Sequence, residues 1–324
     1  MTESTAVRFR RGLRLAVPVL VTGTVVAVTA APAFAARGGH GGGGGGGGTG
    51  GSTTTGFDVS YPQCGTTLPT PTAFGIVGIN DGLANNLNPC LGPSSSYPSY
   101  TQSELYWAVS DSVGGTTQPV TSLYVNTADP GNIYNDKPIA DWPTSSLSTD
   151  PYGSCVTTTV TGHGHSYTVG QNSDACAWQY GYDRAVRDTS WLTSAADAID
   201  AQSPPKLVAD TPGSYSWWLD VETANSWQSD TTMNVADLQG MVAGFGASAV
   251  TTVGVYSTSS QWNSVTSGTT TAASGSLYQL PNWIPGATTE SQAASNCAET
   301  SFTNGHVAVT QWTGTLDNDY PCPA

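Results

Sequence analysis

The segment Trp217-Trp218-Leu219-Asp220-Val221-Glu222-Thr223 constrains the fold of this chain more than any other. Side chains alternate along a strand. Trp217, Leu219 and Val221 therefore share one face, which is wholly apolar. Trp218, Asp220 and Glu222 share the other. A strand of this kind packs its apolar face under helices and turns its second face inward. In an α/β barrel such acids rise toward the C-terminal end of the strand, where active sites lie.

The rest of the chain fits that frame. The run FGIVGI at 74–79 is continuously apolar, as expected for a strand buried on both faces. Further strands are predicted at 57–60, 123–126, 215–221, 252–256, 280–284 and 306–312. Helices are predicted from 101, over 177–199 and from 234. Thr101-x-x-Glu104 reads as a capping box, which gives Glu104 a local structural role. Asn234-x-x-Asp237 reads as the next helix start. Alternation of strand and helix implies a parallel sheet with helical crossovers. The last strands lack clear helices between them, so the sheet is expected to end antiparallel. The stretches 156–161 and 166–169 read as a hairpin around Gly162-His163-Gly164-His165, with Cys155 and Cys176 at its base. The histidines are read as turn residues.

The N-terminus reads as an export signal. Arg8, Arg10, Arg11 and Arg14 precede an apolar run over 15–31, and Ala33-Phe34-Ala35 supplies a small-x-small cleavage pattern. The segment is too short for a membrane span. Residues 1–35 are expected to be removed, 36–56 to form a glycine-rich linker, and 57–324 to fold as one domain. The mature protein is then expected outside the cell or at its wall, with no membrane partner. Arg10-Arg11 does not decide between export routes.

Six cysteines remain after the leader, and an even count in an exported chain favours disulfides. Pairing in sequence order is expected: Cys64–Cys90, Cys155–Cys176 and Cys297–Cys322. No CxxC spacing exists, so neither a metal nor another cofactor is expected. The formal net charge is −14, and the leader contributes four of the arginines. That balance argues against nucleic acid as a partner. Nothing specifies an oligomer, and a monomer is expected.

Two carboxylates on one strand face repel, and the more buried one should hold its proton. A protonated acid beside an ionised one is what glycosidic bond cleavage requires. Glu222 has the longer reach and is assigned as general acid. Asp220 is expected to stay ionised and assist. Asp58, between Phe57 and Val59, points away from apolar neighbours and is expected at the same site. Asp317, with Asp319 nearby, could extend the acidic ring. Trp218, Tyr256, Trp283 and Trp312 lie on or at the ends of strands and could stack on sugar rings.

Several motifs resemble the family 25 glycoside hydrolases, the lysozyme-like muramidases. They are G-F-D-V-S at 56–60, L-D-V-E at 219–222, V-G-V-Y-S at 253–257 and T-Q-W-T-G-T-L-D-N-D at 310–319. The resemblance implies an α/β fold, an irregular TIM-like (β/α)5(β)3 barrel with the disulfide-bracketed hairpin as an insertion. It implies cleavage between the amino sugars of peptidoglycan or a related polysaccharide. It maps the family's acids onto Asp58, Asp220, Glu222 and Asp317, with Trp218, Tyr256 and Trp312 toward substrate. The chain departs from the family at Asn80-Asp81-Gly82 and at L-Y-V-N-T-A-D-P-G. Those departures leave a second reading, a catalytically silent barrel that binds cell-wall glycan or a surface partner.

Overall fold

The structure is a computed structural model that describes residues 50–80, 85–135, 137–162, 164–202, 207–268, 270–314 and 316–323. All of them fall in one compact unit, 44–324. The expected leader, most of the glycine-rich segment, His163 and the Asp81-Gly82 step lie outside the described residues.

Eight strands close into a barrel: β1 (Gly56–Val59), β2 (Gly75–Gly78), β3 (Thr121–Asn126), β4 (Ser216–Asp220), β5 (Val253–Tyr256), β6 (Asn282–Ala287), β7 (Val307–Trp312) and β8 (Asp317–Pro321). Their order around the barrel is their order in the chain. Neighbours from β1 through β7 are parallel, while β8 runs antiparallel to both β7 and β1. Helices follow β2 through β6: α1 (Glu104–Ser110), α2 (Asp174–Asp200), α3 (Thr231–Ala247), α4 (Ser259–Thr266) and α5 (Glu290–Asn296). The fold is therefore α/β with a closed mixed barrel. No described helix is long and apolar enough to cross a membrane.

Alternation along β4 falls as the sequence predicts. Trp217, Leu219 and Val221 join the outer core with Leu238, Met241 and Phe245 of α3. Trp217 is fully buried, stacks against Phe245 at 4.7 Å and donates its indole N–H to the Pro212 carbonyl at 3.0 Å. Burial of such a side chain contributes about 1.5–3 kcal/mol. Trp218 turns inward to a second core with Phe74, Ile76, Tyr124 and Trp283. Gly254 on β5 makes room for it, since a Cβ there would sit 2.3 Å from the Trp218 ring. Outside the barrel, α2 and α3 pack at close range. A Cβ on Gly240 would sit 1.9 Å from the Trp178 carbonyl oxygen, so only glycine fits.

The cysteines pair as the sequence predicts: Cys64–Cys90, Cys155–Cys176 and Cys297–Cys322. The predicted hairpin is present as Thr157–Gly162 and His165–Gly170, and Cys155–Cys176 ties its base to the first turn of α2. Gly50–Ser52, inside the range expected to be linker, pair in parallel with Thr70–Thr72.

Several expectations are corrected. Glu104 does not close a capping box with Thr101. Ser103 caps α1, and Glu104 is buried, accepting from the Gln63 backbone N–H at 2.6 Å and from Asn88 Nδ2 at 2.7 Å. A tertiary demand has overridden the local signature. Helix α3 begins earlier than Asn234, with Asp230 as its cap. Asp317 and Asp319 belong to strand β8, which is not among the strands predicted from the sequence.

Candidate functional site

Strand direction brings the acids to one end. Asp220 ends β4, Tyr256 ends β5 and Asn126 ends β3, while Asp58 is the penultimate residue of β1. Strand β8 enters from the same end, with Asp317 opposite Asp58 in register. Hydrogen bonds brace this rim. Thr127 Oγ1 donates to the Asp220 carbonyl at 2.6 Å, and Ser257 Oγ donates to the Val221 carbonyl at 2.7 Å. Trp227 donates its indole N–H to the Glu222 carbonyl at 2.8 Å. Asn80 and Asn126 bridge the ends of β2 and β3 by two further bonds. The backbone that carries Asp220 and Glu222 is thus held on three sides.

The side chains form a connected network. Ser60 Oγ lies 3.1 Å from Asp58 Oδ1 and 2.6 Å from Asp317 Oδ2. Gln311 Nε2 donates to Asp58 Oδ2 at 2.8 Å, and Tyr256 donates its hydroxyl to Gln311 Oε1 at 3.2 Å. Trp283 Nε1 donates to Asp319 Oδ1 at 2.9 Å. Tyr124 donates its hydroxyl to the Val59 carbonyl at 2.9 Å. Gln261, in the first turn of α4, accepts from the Thr223 N–H at 2.8 Å and acts on the Glu222 carboxylate to favour its charged form.

Electrostatics follow from burial without cations. Burial, then the charge of Asp317, raises Asp58 to about 7, against the hydrogen bonds from Gln311 and Ser60. Asp220 is buried, and its Oδ1 meets no donor. Burial, then the charges of Glu222 and Asp58, raises it well above the ordinary carboxylate range. Glu222 is half-buried; burial raises it and Gln261 pulls it back. Tyr124 and Tyr256 are held neutral by burial and by the same acids. Among the described residues no group of His, Cys, Asp and Glu has the geometry to hold a metal.

Asp58, Asp220, Glu222 and Asp317 converge, and Tyr256 stands beside them. Two expectations shift. Asp220, not Glu222, is the deeper acid, so burial favours the proton on Asp220 instead of leaving it ionised. Trp312 lies on the opposite face of β7 from Gln311, whose side chain reaches Asp58. Trp218 is inward but only 3% exposed, packed edge-on to Trp283 as part of the floor. Sequence reasoning did not single out Ser60, Tyr124, Gln261 or Gln311. Ser60 and Tyr124 were accessible to it, because strand alternation places them on the faces of Asp58 and Asn126. Gln261 and Gln311 carry no such mark.

A closed α/β barrel with clustered acids and aromatics at one strand end is the class this geometry defines. Residues 208–298 match the family described as Lysozyme-like protein 1. The matched stretch runs from before β4 to just past the end of α5. It includes Asp220, Glu222, Tyr256, Gln261 and Trp283, and excludes Asp58, Asp317 and Asp319. No curated protein and no solved structure matches the chain.

Proposed function

We propose that this protein is a secreted glycoside hydrolase acting on peptidoglycan or a related amino-sugar polymer. In this reading the barrel is an irregular (β/α)5(β)3 form, as in the family 25 glycoside hydrolases. Residues 1–35 would direct export and 36–56 would tether the domain. The observation that carries the reading is the convergence of Asp58, Asp220, Glu222 and Asp317 at one end of the barrel. The three disulfides agree with an extracellular setting.

Glu222 is the most exposed acid of the central strand end and the one able to reach a bound chain. It donates its proton to the glycosidic oxygen as the carbon–oxygen bond breaks. Positive charge then develops at the sugar carbon, and an ionised Asp220 below it stabilises that charge. Burial and the neighbouring acids favour the proton on Asp220. The reactive form therefore requires the proton on Glu222 and the charge on Asp220, two carboxyls coupled through one strand face. A water then attacks the sugar carbon and returns a proton to the pair. Asp317, bridged by Ser60 to the buried Asp58, faces the sugar as a hydrogen-bond acceptor, with Tyr256 beside it.

The test is release of reducing ends from purified peptidoglycan by the parent protein and by Glu222→Gln. Hydrolysis by the parent that is unaffected by Glu222→Gln would refute the acid assignment. Glycan binding without hydrolysis, equal in both proteins, would establish the silent-binder reading instead.

A further inference from the structure

Asp319 is an acid that the reaction above leaves unused. It lies on β8, two residues beyond Asp317 in a strand whose side chains alternate, and it is fully buried. Its Oδ1 accepts from Trp283 Nε1 at 2.9 Å, while its Oδ2 is buried and meets no N–H or O–H donor. The antiparallel register sets Asp317 opposite Asp58 and Asp319 opposite Gly56, so Asp319 is the diagonal neighbour of Asp58 on the same face, and each carboxyl acts on the other. Asp58 is 1% exposed, and its oxygens already accept from Ser60 and Gln311. Two buried carboxylates can face each other only if one carries a proton, because an ionised pair would be both desolvated and mutually repelled.

We propose that Asp319 holds a single proton shared with Asp58, and so acts as a positioning residue that fixes Asp58 as an ionised acceptor on the floor of the site. The donor count assigns the proton. Asp58 has two side-chain donors besides Asp319, whereas Asp319 has only the Trp283 indole. A proton on Asp319 Oδ2 satisfies that orphan oxygen and supplies Asp58 with a third bond. Burial and the Asp58 charge push Asp319 well above the ordinary range, in the same direction. The other titratable groups facing the pair are Asp317 on β8, Asp220 on β4, Tyr124 on β3 and Tyr256 on β5. No cation acts on either member of the pair among the described residues.

The positioning role rests on this barrel end being the reactive site, but the shared proton does not. The experiment therefore has two readouts. Asp319→Asn mimics the neutral acid, since its oxygen can accept from Trp283 and its amide can donate to Asp58. Asp319→Leu keeps similar bulk without the donor. Carboxyl carbon-13 NMR titration of the aspartates is expected to show one group in the parent that stays protonated through neutral pH and is missing from Asp319→Asn. The Asp58 titration should stay close to the parent's in Asp319→Asn and rise by about one unit in Asp319→Leu, where a hydrogen bond to the charged form is lost. In glycan hydrolysis, Asp319→Asn should keep kcat/KM near the parent's and Asp319→Leu should lower it by about tenfold or more. An Asp319 that ionises in the ordinary carboxylate range overturns the proposal, as does an Asp319→Asn in which the Asp58 titration rises. If Asp319→Leu does not fold, Asp319→Asn alone decides on the first readout. A protonated Asp319 in a parent that hydrolyses no glycan would uphold the shared proton and sink the enzymatic reading.

Discussion

Two regions of this molecule bury aspartates, and they do so in opposite ways. Between the packed helices α2 and α3, Asp188 and Asp237 are fully buried. Arg184, itself 1% exposed, favours the charged form of both, although on Asp237 the Asp129 charge acts more strongly in the other direction, and Arg184 donates to Tyr180 Oη at 3.0 Å and to Asn85 Oδ1. At the barrel end Asp58, Asp220 and Asp319 are equally buried, but the charges acting on them are other acids. Burial alone therefore does not distinguish a site. In the seam a buried cation offsets part of the cost of the buried acids without bonding them. Buried acids set against each other, with half-buried Glu222 and Asp317 above them, keep an unfavourable arrangement that packing alone would not favour.

The largest expected effect separates the two regions by function. Glu222→Gln should lower glycan hydrolysis by about 10² to 10⁴ while leaving the denaturant midpoint unchanged. Asp237→Asn should leave hydrolysis per folded molecule close to the parent's. Paired assays of hydrolysis and urea unfolding check both. A large rate loss in Asp237→Asn with intact folding would erase the distinction.

The next effect is on stability. Arg184→Met removes the cation from the seam and leaves Asp188 with Arg187 and Asp237 with Asp129. No hydrogen bond joins Arg184 to either acid, so the loss is that of a nearby charge and of the Tyr180 and Asn85 contacts, about 1–3 kcal/mol. The urea midpoint should fall accordingly, and part of the loss should be recovered on acidification as the aspartates take up protons. Hydrolysis by the folded fraction should persist. An unchanged midpoint would show that the seam acids do not depend on Arg184.

Both regions shape the pH dependence of stability in the same direction. Burial raises Asp58, Glu104 and Asp188 to about 7 and Asp129 to about 6. Each binds its proton more tightly in the folded than in the unfolded state, where aspartate titrates near 3.8 and glutamate near 4.5. Their contribution is complete below those unfolded values and is lost as pH rises through 6 to 7. Each group can weigh up to about 1.4 kcal/mol per pH unit within that window. Tm should therefore fall as pH rises from about 4 to 7, opposite to ordinary acid denaturation. Asp58→Asn and Asp188→Asn should each flatten the slope, which assigns the effect to the barrel end or to the seam. A Tm that rises over the same interval would contradict the burial of these acids.

The sequence made the barrel end partly legible and the seam hardly at all. Alternation in Trp217–Val221 was enough to separate the inward face from the outward one, because a period of two survives any packing. The cysteines could be paired because each lies near its partner in the chain. Strand β8 was hidden. Asp317-Asn318-Asp319 reads as a solvated turn, and only pairing with β1 and β7 makes it a strand. The inward phase of β7 was equally hidden, since Gln311 and Trp312 are both plausible inward residues until Asp58 selects the glutamine. Asp188 and Asp237 sit inside helices that the sequence predicts. A helical stripe does not reveal which polar residues the neighbouring helix will cover.

The smallest expected effect tests how finely the barrel end is tuned. Gln261 binds the Thr223 N–H through its oxygen, and its side chain favours the ionised form of Glu222. Removing that amide should raise the Glu222 pKa. A general acid works while protonated, so activity falls as pH rises through its pKa. Gln261→Met should therefore shift the alkaline limb of kcat/KM upward, by less than about one unit for a single half-exposed amide. Gln261→Glu should shift it further, because a second carboxylate replaces the donor beside Glu222. A merely structural role would lower the rate at every pH and leave the limb in place. The order parent, Gln261→Met, Gln261→Glu in the position of that limb is the specific expectation, and a reversed order would mean that Glu222 is not the group titrating there.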